Sequence, residues 1–157
     1  MSTKPIPDHC AGLIPYLVVC DAAKAIDFYK QVFGATELSR MPSADGKKVF
    51  HAELQIHGHL LMLGDENPQM GIVGPQANGP LPPVSVMLYT PDVDGLFQRA
   101  TASGAKGLLP PTDMFWGDRY AKFSDPFGHH WGIATHIKDV SPEEMKKGAA
   151  EWARKNT

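Results

Sequence analysis

Side chains that could do chemistry are densest between Phe115 and His136, where the sequence reads FWGDRYAKFSDPFGHHWGIATH. Within it, Arg119 could hold an anionic group through two parallel N–H groups, and Phe115 or Trp116 could stack on a flat ligand. We therefore predict Phe115, Trp116 and Arg119 as ligand-binding residues. A structural interpretation stays open, in which Asp118 caps the loop and Arg119 pairs with it.

A second candidate is a histidine and a carboxylate two residues apart, His51 and Glu53. Alternation places them on one face of a strand, opposite an apolar set that includes Phe50. An imidazole titrates near neutral pH and can act as a general base, so we predict His51 and Glu53 as a catalytic pair. Their backbones lie ~7 Å apart along a strand, which favours a loose or water-mediated contact. A half-buried polar pair without a catalytic role is the alternative.

A tight turn is predicted inside the first stretch, because Asp125, Pro126 and Gly128 match the preferences of a type I β-turn. In the strand after it, His130 shares a face with Gly132 and His136. We predict His130 as a ligand-binding residue. A rearranged metal site built from His51, Glu53 and His130 is a further hypothesis.

Composition limits the classes of protein to which the chain can belong. Its 157 residues are 43% hydrophobic with a net charge of −2, which suits one folded domain or two small halves and gives no basic stripe for nucleic acid. No apolar run approaches the ~20 residues that span a bilayer. Two cysteines, Cys10 and Cys20, predict no disulfide framework. We expect a soluble, cytoplasmic protein with neither a nucleic-acid nor a membrane partner.

The elements that must position these side chains repeat. In residues 13–64 a strand precedes a helix that begins after Asp21 and stops at Gly34, and three strands follow. Residues 65–83, rich in Gly and Pro, form a linker loop. Residues 84–137 restart the pattern, with Asp92 placed 71 positions after Asp21. The sequence therefore predicts an α+β fold of two tandem βαβββ modules.

A C-terminal helix is predicted over residues 141–155. Ser141, Pro142 and Glu144 match a capping box with proline in the first turn. Its apolar stripe of Met145, Ala149 and Trp152 is narrow, which is compatible with packing on the body or on a second subunit. A regulatory or assembly module acting through this helix is a third hypothesis for function.

The segments YLVVCDAAKAIDFYKQVFGA and DRYAKFSDPFGHHWGIATH, within this duplicated pattern, resemble the vicinal oxygen chelate superfamily of glyoxalases, bleomycin-resistance proteins and dioxygenases. The IDFY, FGA, FWGDRY and DPFGH segments look most like its PhnB-like subgroup. The resemblance implies two modules that form an incomplete barrel around a ligand cavity, with helices outside, and a homodimer. Tyr16, Ser85 and Met87 are then expected on inner strand faces as ligand-binding residues.

The four metal-ligand positions of the superfamily fall, by spacing, on Ile14, Met62, Ser85 and Gly132. Neither an isoleucine nor a glycine side chain offers a donor, and a thioether and a neutral hydroxyl are poor ligands for hard cations. We predict no divalent-metal cofactor. The expected function is metal-independent binding of a small organic molecule; the alternative is a lyase, isomerase or dioxygenase-like enzyme that uses a relocated His/Glu metal site or His51 as the base.

Overall fold

The structure is a computed structural model that describes residues 3–155. It confirms the predicted α+β fold of two βαβββ modules followed by a helix. In chain order the elements are β1 (Tyr16–Val19), α1 (Ala22–Phe33), β2 (Thr36–Pro42), β3 (Val49–Ile56), β4 (His59–Asp65), a short 3-10 helix (Pro68–Met70), β5 (Ser85–Tyr89), α2 (Val93–Ala102), β6 (Lys106–Asp113), β7 (Asp118–Ser124), β8 (His130–His136) and α3 (Pro142–Lys155).

Both modules build the same four-stranded sheet. The strand orders are β1-β4-β3-β2 and β5-β8-β7-β6, and in each sheet the first pair is parallel and the others are antiparallel. The first helix of each module covers one face of its own sheet. Side chains between the helix and the sheet form the core, among them Ile26, Leu54 and Leu63 in the first module and Leu96, Phe123, Trp131 and Ile133 in the second.

Helix ends follow the local signals of the sequence. The carboxylate of Asp21 accepts a hydrogen bond from the backbone N–H of Lys24 at 3.0 Å, and Gly34 ends α1 in the left-handed conformation with φ 67°. Ser141 and Glu144 exchange side-chain-to-backbone bonds of 3.3 and 3.0 Å at the start of α3. The predicted capping box is therefore present.

The apolar alternation expected for β3 is broken by a bulge. Against β2, Val49 pairs with Pro42 and His51 pairs with Met41, so β3 has one extra residue, Phe50, at this point. Val49 takes the buried place, and Phe50 is 56% exposed. Phe50 therefore does not share the buried position of Ala52 and Leu54, the other members of the predicted apolar set, and the bulge is the reason.

Strands β6 and β7 include residues of low strand propensity. β6 runs through Pro110 and Pro111, because it is an edge strand whose register against β7 shifts at this point and needs no donor there. β7 begins at Asp118, so Asp118 and Arg119 belong to a strand and not to a loop.

The described residues form two compact units. One extends to Pro82 and includes Pro126–His129; the other contains Pro83–Asp125 and the residues from His130 onward. In the first unit the Phe127 ring packs edge-on against the ring of Phe28, with centroids 6.2 Å apart. Within residues 3–155, no helix has the length and apolar character needed to cross a membrane.

Candidate functional site

Side chains of the second sheet alternate between a face beneath α2 and a face turned away from it. Thr135 accepts a hydrogen bond from the first backbone N–H of α2, and Arg119 contacts Asp94 on α2, so the residues in register with these two lie beneath the helix. We call the opposite side the open face. It carries Ser85, Met87 and Tyr89 from β5, Asp118, Tyr120, Lys122 and Ser124 from β7, and His130, Gly132, Ala134 and His136 from β8.

Asp118 gathers three donors at one end of the open face. The Tyr89 hydroxyl donates to its Oδ2 at 2.7 Å, the Trp116 indole N–H donates to the same oxygen at 3.1 Å, and His136 Nδ1 lies 2.9 Å from Oδ1. The carboxylate is only 4% exposed. It therefore holds the Trp116 and Tyr89 rings in fixed positions beside the sheet.

The charge states of Asp118 and His136 follow from their burial and their hydrogen-bond partners. Burial by itself would raise the pKa of the Asp118 carboxyl, but the hydrogen bonds from His136, Tyr89 and Trp116 outweigh that effect and lower it. The hydrogen bond to Asp118 raises the pKa of His136, and so does a second one, 3.1 Å long, to the carboxylate of Asp139. The result is an ionised carboxylate beside an imidazole that readily takes a proton.

Gly132 lies at the middle of the open face, opposite Met87 on one side and Lys122 on the other. A Cβ atom at Gly132 would come within 2.9 Å of both Met87 Sδ and the Tyr120 hydroxyl oxygen. The Tyr120 ring packs against Trp116 with centroids 5.9 Å apart. The centre of the face is thus lined by a thioether, a phenol and an indole.

His130 carries the one buried side-chain polar atom in residues 3–155 that has no hydrogen-bond partner, its Nε2. The residue is 7% exposed and lies in one row with Ser85 and Ser124. Burial lowers the pKa of the imidazole, and the positive charge of nearby Lys122 lowers it further. His130 is therefore a neutral imidazole with an unused ring nitrogen.

Arg119 and Phe115, two predicted ligand-binding residues, are engaged in contacts within the protein. Arg119 binds Asp94 through two N–H groups at 2.6 and 2.8 Å and Asp113 through a third at 2.7 Å, and these bonds raise the pKa of its guanidinium. The structural interpretation in which Arg119 pairs with Asp118 is wrong, because the two side chains point to opposite faces of β7. Phe115 packs edge-on against Trp116 and contacts Gly148 of α3.

The first sheet presents a different group on its side away from α1. His51 Nε2 lies 3.5 Å from Glu53 Oε1, and His51 Nδ1 lies 3.3 Å from the Tyr16 hydroxyl. His9 Nε2 approaches the other oxygen of Glu53 at 3.5 Å. These separations exceed those of strong hydrogen bonds, so the His51–Glu53 contact is loose. Tyr16, Met62 and Glu53 occupy one row across the sheet.

Sequence reasoning placed Ser85, Met87, Trp116 and His130 in a common site but passed over three of their neighbours. Tyr89, Tyr120 and Lys122 share the open face with them. The alternation of side chains along a strand could have identified them, because Tyr89 follows Met87 by two positions and Lys122 follows Tyr120 by two positions.

Comparisons with known proteins agree with this fold. A sequence model of the Glyoxalase/Bleomycin resistance protein/Dioxygenase superfamily matches residues 6–133. An uncharacterized protein of Mycobacterium tuberculosis, Rv0887c, is 45% identical over 139 residues, which cover 86% of this chain and 80% of that protein. The crystal structure of TioX from Micromonospora sp. ML1 has a TM-score of 0.63 at 29% identity and covers 81% of this chain and 99% of its own.

A third comparison concerns the fold alone. The structure of the fosfomycin resistance protein FosX from Listeria monocytogenes, complexed with Mn(II) and sulfate, has a TM-score of 0.60 at 17% identity. It covers 85% of this chain and 96% of that one.

Proposed function

Since the chain belongs to the glyoxalase/bleomycin resistance protein/dioxygenase superfamily, we propose that it uses this fold to bind a small, partly aromatic organic molecule without a metal ion, on the open face of the second sheet. The apolar and hydrogen-bonding groups on that face are of the kind that line small-molecule sites.

A divalent metal does not fit the residues at the family's ligand positions. Ile14 and Gly132 provide no donor, and Met62 and Ser85 provide a thioether and a neutral hydroxyl. Elsewhere in residues 3–155, no group of three His, Cys, Asp or Glu side chains is arranged to hold a metal ion.

The observation that carries the proposal is the set of groups around Gly132. Where a ligating side chain would begin, Tyr120 and Met87 already approach within 2.9 Å. Met87 and Tyr89 are nevertheless 45% and 55% exposed, although they belong to a structured sheet. Aromatic rings and a thioether held in this way offer a flat molecule stacking and dispersion contacts without rearrangement of the protein.

Protein NMR with an aromatic compound library tests the proposal. Saturable shifts are expected at Met87, Tyr89 and Trp116, and Tyr120→Leu should weaken them. Trp152→Leu is the matched control, because it removes a half-exposed aromatic side chain on α3 and should leave binding unchanged. A library without any saturable binder would contradict the proposal. Stoichiometric metal in protein purified without chelator would contradict its metal-free part.

An enzyme at the first sheet is the second candidate, and the contacts of His51 favour it. The imidazole lies between the Tyr16 hydroxyl and the Glu53 carboxylate, so Glu53 could orient it and Tyr16 could supply a proton. Burial raises the pKa of Tyr16, which keeps that phenol protonated. In a panel of lyase, isomerase and dioxygenase substrates, His51→Ala should abolish turnover that the exposed-histidine control His59→Ala retains. Equal turnover by both variants would remove this role.

We further propose that the protein belongs to the PhnB-like subgroup and that it forms a homodimer. The IDFY, FGA, FWGDRY and DPFGH segments support placement in the PhnB-like subgroup. A homodimer is supported by the largely exposed helix α3, with Trp152 half-exposed. Light scattering of the full chain and of a variant truncated after Val140 tests the dimer, which should be lost only in the truncated protein.

A further inference from the structure

Two side chains in adjacent rows of the open face, Lys122 and His130, lack a partner for a charge or for a hydrogen bond. Among the described residues, the Lys122 ammonium has no carboxylate within ion-pair distance, and the buried His130 Nε2 has no hydrogen-bond partner. Leaving a buried polar atom unpaired destabilises the folded state, so such an atom calls for an explanation. A ligand atom that accepts from both groups would provide one.

The register brings the two groups together. Lys122 pairs with Gly132, and His130 precedes Gly132 by two positions on the same face. Such diagonal neighbours are about 7–8 Å apart at their backbones, well within reach of a lysine side chain. Their proximity is also visible in the effect of the Lys122 charge on the pKa of His130. The Tyr120 hydroxyl, which has no hydrogen-bond partner among residues 3–155, lies close to Gly132, 2.9 Å from where a Cβ atom would stand.

Acidic groups near this end are already engaged. Asp125 accepts a hydrogen bond from the Trp131 indole at 3.0 Å. Asp118 lies four residues from Lys122 along β7, about 13 Å away, and is held by its three donors. The open face therefore has a carboxylate held by three donors at one end, whereas Lys122, nearer the other end, has no carboxylate of the described residues within ion-pair distance. Burial and Lys122 lower the pKa of His130 there, against the charge of Asp125, which raises it.

We propose that the open face recognises an organic anion, with its carboxylate or other oxyanion bound by Lys122, His130 Nε2–H and the Tyr120 hydroxyl, and its aromatic part over Met87 towards Trp116. The proposal rests on the small-molecule function above and names the class of ligand. A charge-assisted bond from an ammonium is stronger than a neutral one, so the anion supplies specificity as well as affinity.

Three probes of nearly the same shape test it: naphthoate, naphthamide and naphthylmethylammonium. NMR titration of the full chain should give an affinity for naphthoate about tenfold higher than for the amide, since charge-assisted bonds are the stronger ones. Lys122→Gln should remove most of that difference. Lys146→Gln, on exposed α3, removes the same charge elsewhere and should change nothing.

Different results of these titrations would overturn the anion proposal and the small-molecule proposal. Equal or tighter binding of the amide or the ammonium at the open face would overturn the anion proposal and leave small-molecule binding in place. Naphthoate binding that Lys122→Gln does not weaken would also overturn it. Absence of any saturable shift with the three probes and the aromatic library would overturn both.

Discussion

Replacement of His130 by leucine is expected to stabilise the protein while it weakens naphthoate binding. His130 is 7% exposed and its Nε2 is unpaired, so the folded state bears the desolvation cost of that nitrogen. Leucine has a similar size and no polar atom. Removing an unpaired buried polar group recovers part of about 1–3 kcal/mol, so we expect the free energy of unfolding to rise by about 1–2 kcal/mol at neutral pH.

Urea denaturation followed by tryptophan fluorescence measures the change. For a chain of this size, 1 kcal/mol corresponds to about 2–4 °C in melting temperature, which gives a second readout. The matched control is the adjacent His129→Leu, because His129 Nε2 lies 2.8 Å from the Val18 carbonyl oxygen and its bond would be lost. The two variants should change stability in opposite directions.

The pH dependence of the free energy of unfolding tests whether the buried imidazole of His130 is the cause. The pKa of His130 is lowered from 6.5 in the folded protein, so the unfolded chain binds the proton more readily. Stability that depends on this residue is therefore lost as the pH falls below about 6.5. His130→Leu removes that loss, so its advantage over the natural protein should grow towards pH 5. A variant that is less stable than the natural protein at pH 7 would refute the reasoning, because the imidazole would then have a stabilising partner.

Three further predictions concern the Asp118 end of the sheet and its supporting turn. Because the pKa of His136 is raised in the folded protein, its contribution to stability is complete below pH 6.5 and is lost at higher pH. In urea denaturation, His136→Asn should therefore lose more stability at pH 5.5 than at pH 8.5. An equal loss at both values would contradict the ion pair. Asp118→Ala should lower the free energy of unfolding at pH 7 by about 2–4 kcal/mol, because the hydrogen bonds to the charged carboxylate are lost. Asp118→Asn should be less affected. An unchanged urea midpoint in Asp118→Ala would argue against a structural role for the carboxylate. Gly117 has φ 94°, and a Cβ there would lie 2.0 Å from the Lys138 carbonyl oxygen, so Gly117→Ala should melt well below Gly46→Ala, where φ is 69° and no atom lies within 4 Å.

The elements that were predictable from the sequence have local causes. Asp21 and Gly34 bound α1 through contacts within one helical turn, and the Ser141 capping box does the same for α3. The strand from His130 to His136 is recognisable because a turn of defined type precedes it. The exposure of Phe50 was not predictable, because a bulge depends on how β2 and β3 align and not on either strand alone.

In the candidate site, too, the features with local causes were predictable from the sequence and those that depend on strand register were not. Alternation of side chains placed His130, Gly132 and His136 on one face from the sequence alone, since that rule needs only one strand. The meeting of Tyr89, Trp116 and Asp118 needs the register of β5 on β8 and of β8 on β7, which no local pattern reports. The two histidines of β8 then acquire opposite properties on a single face: His136 has two carboxylate partners and gains a proton more easily, whereas His130 is buried, lies beside Lys122 and resists one. Their chemistry is set by burial and by neighbouring charges, so a function assigned from residue type alone would have treated them as equivalent.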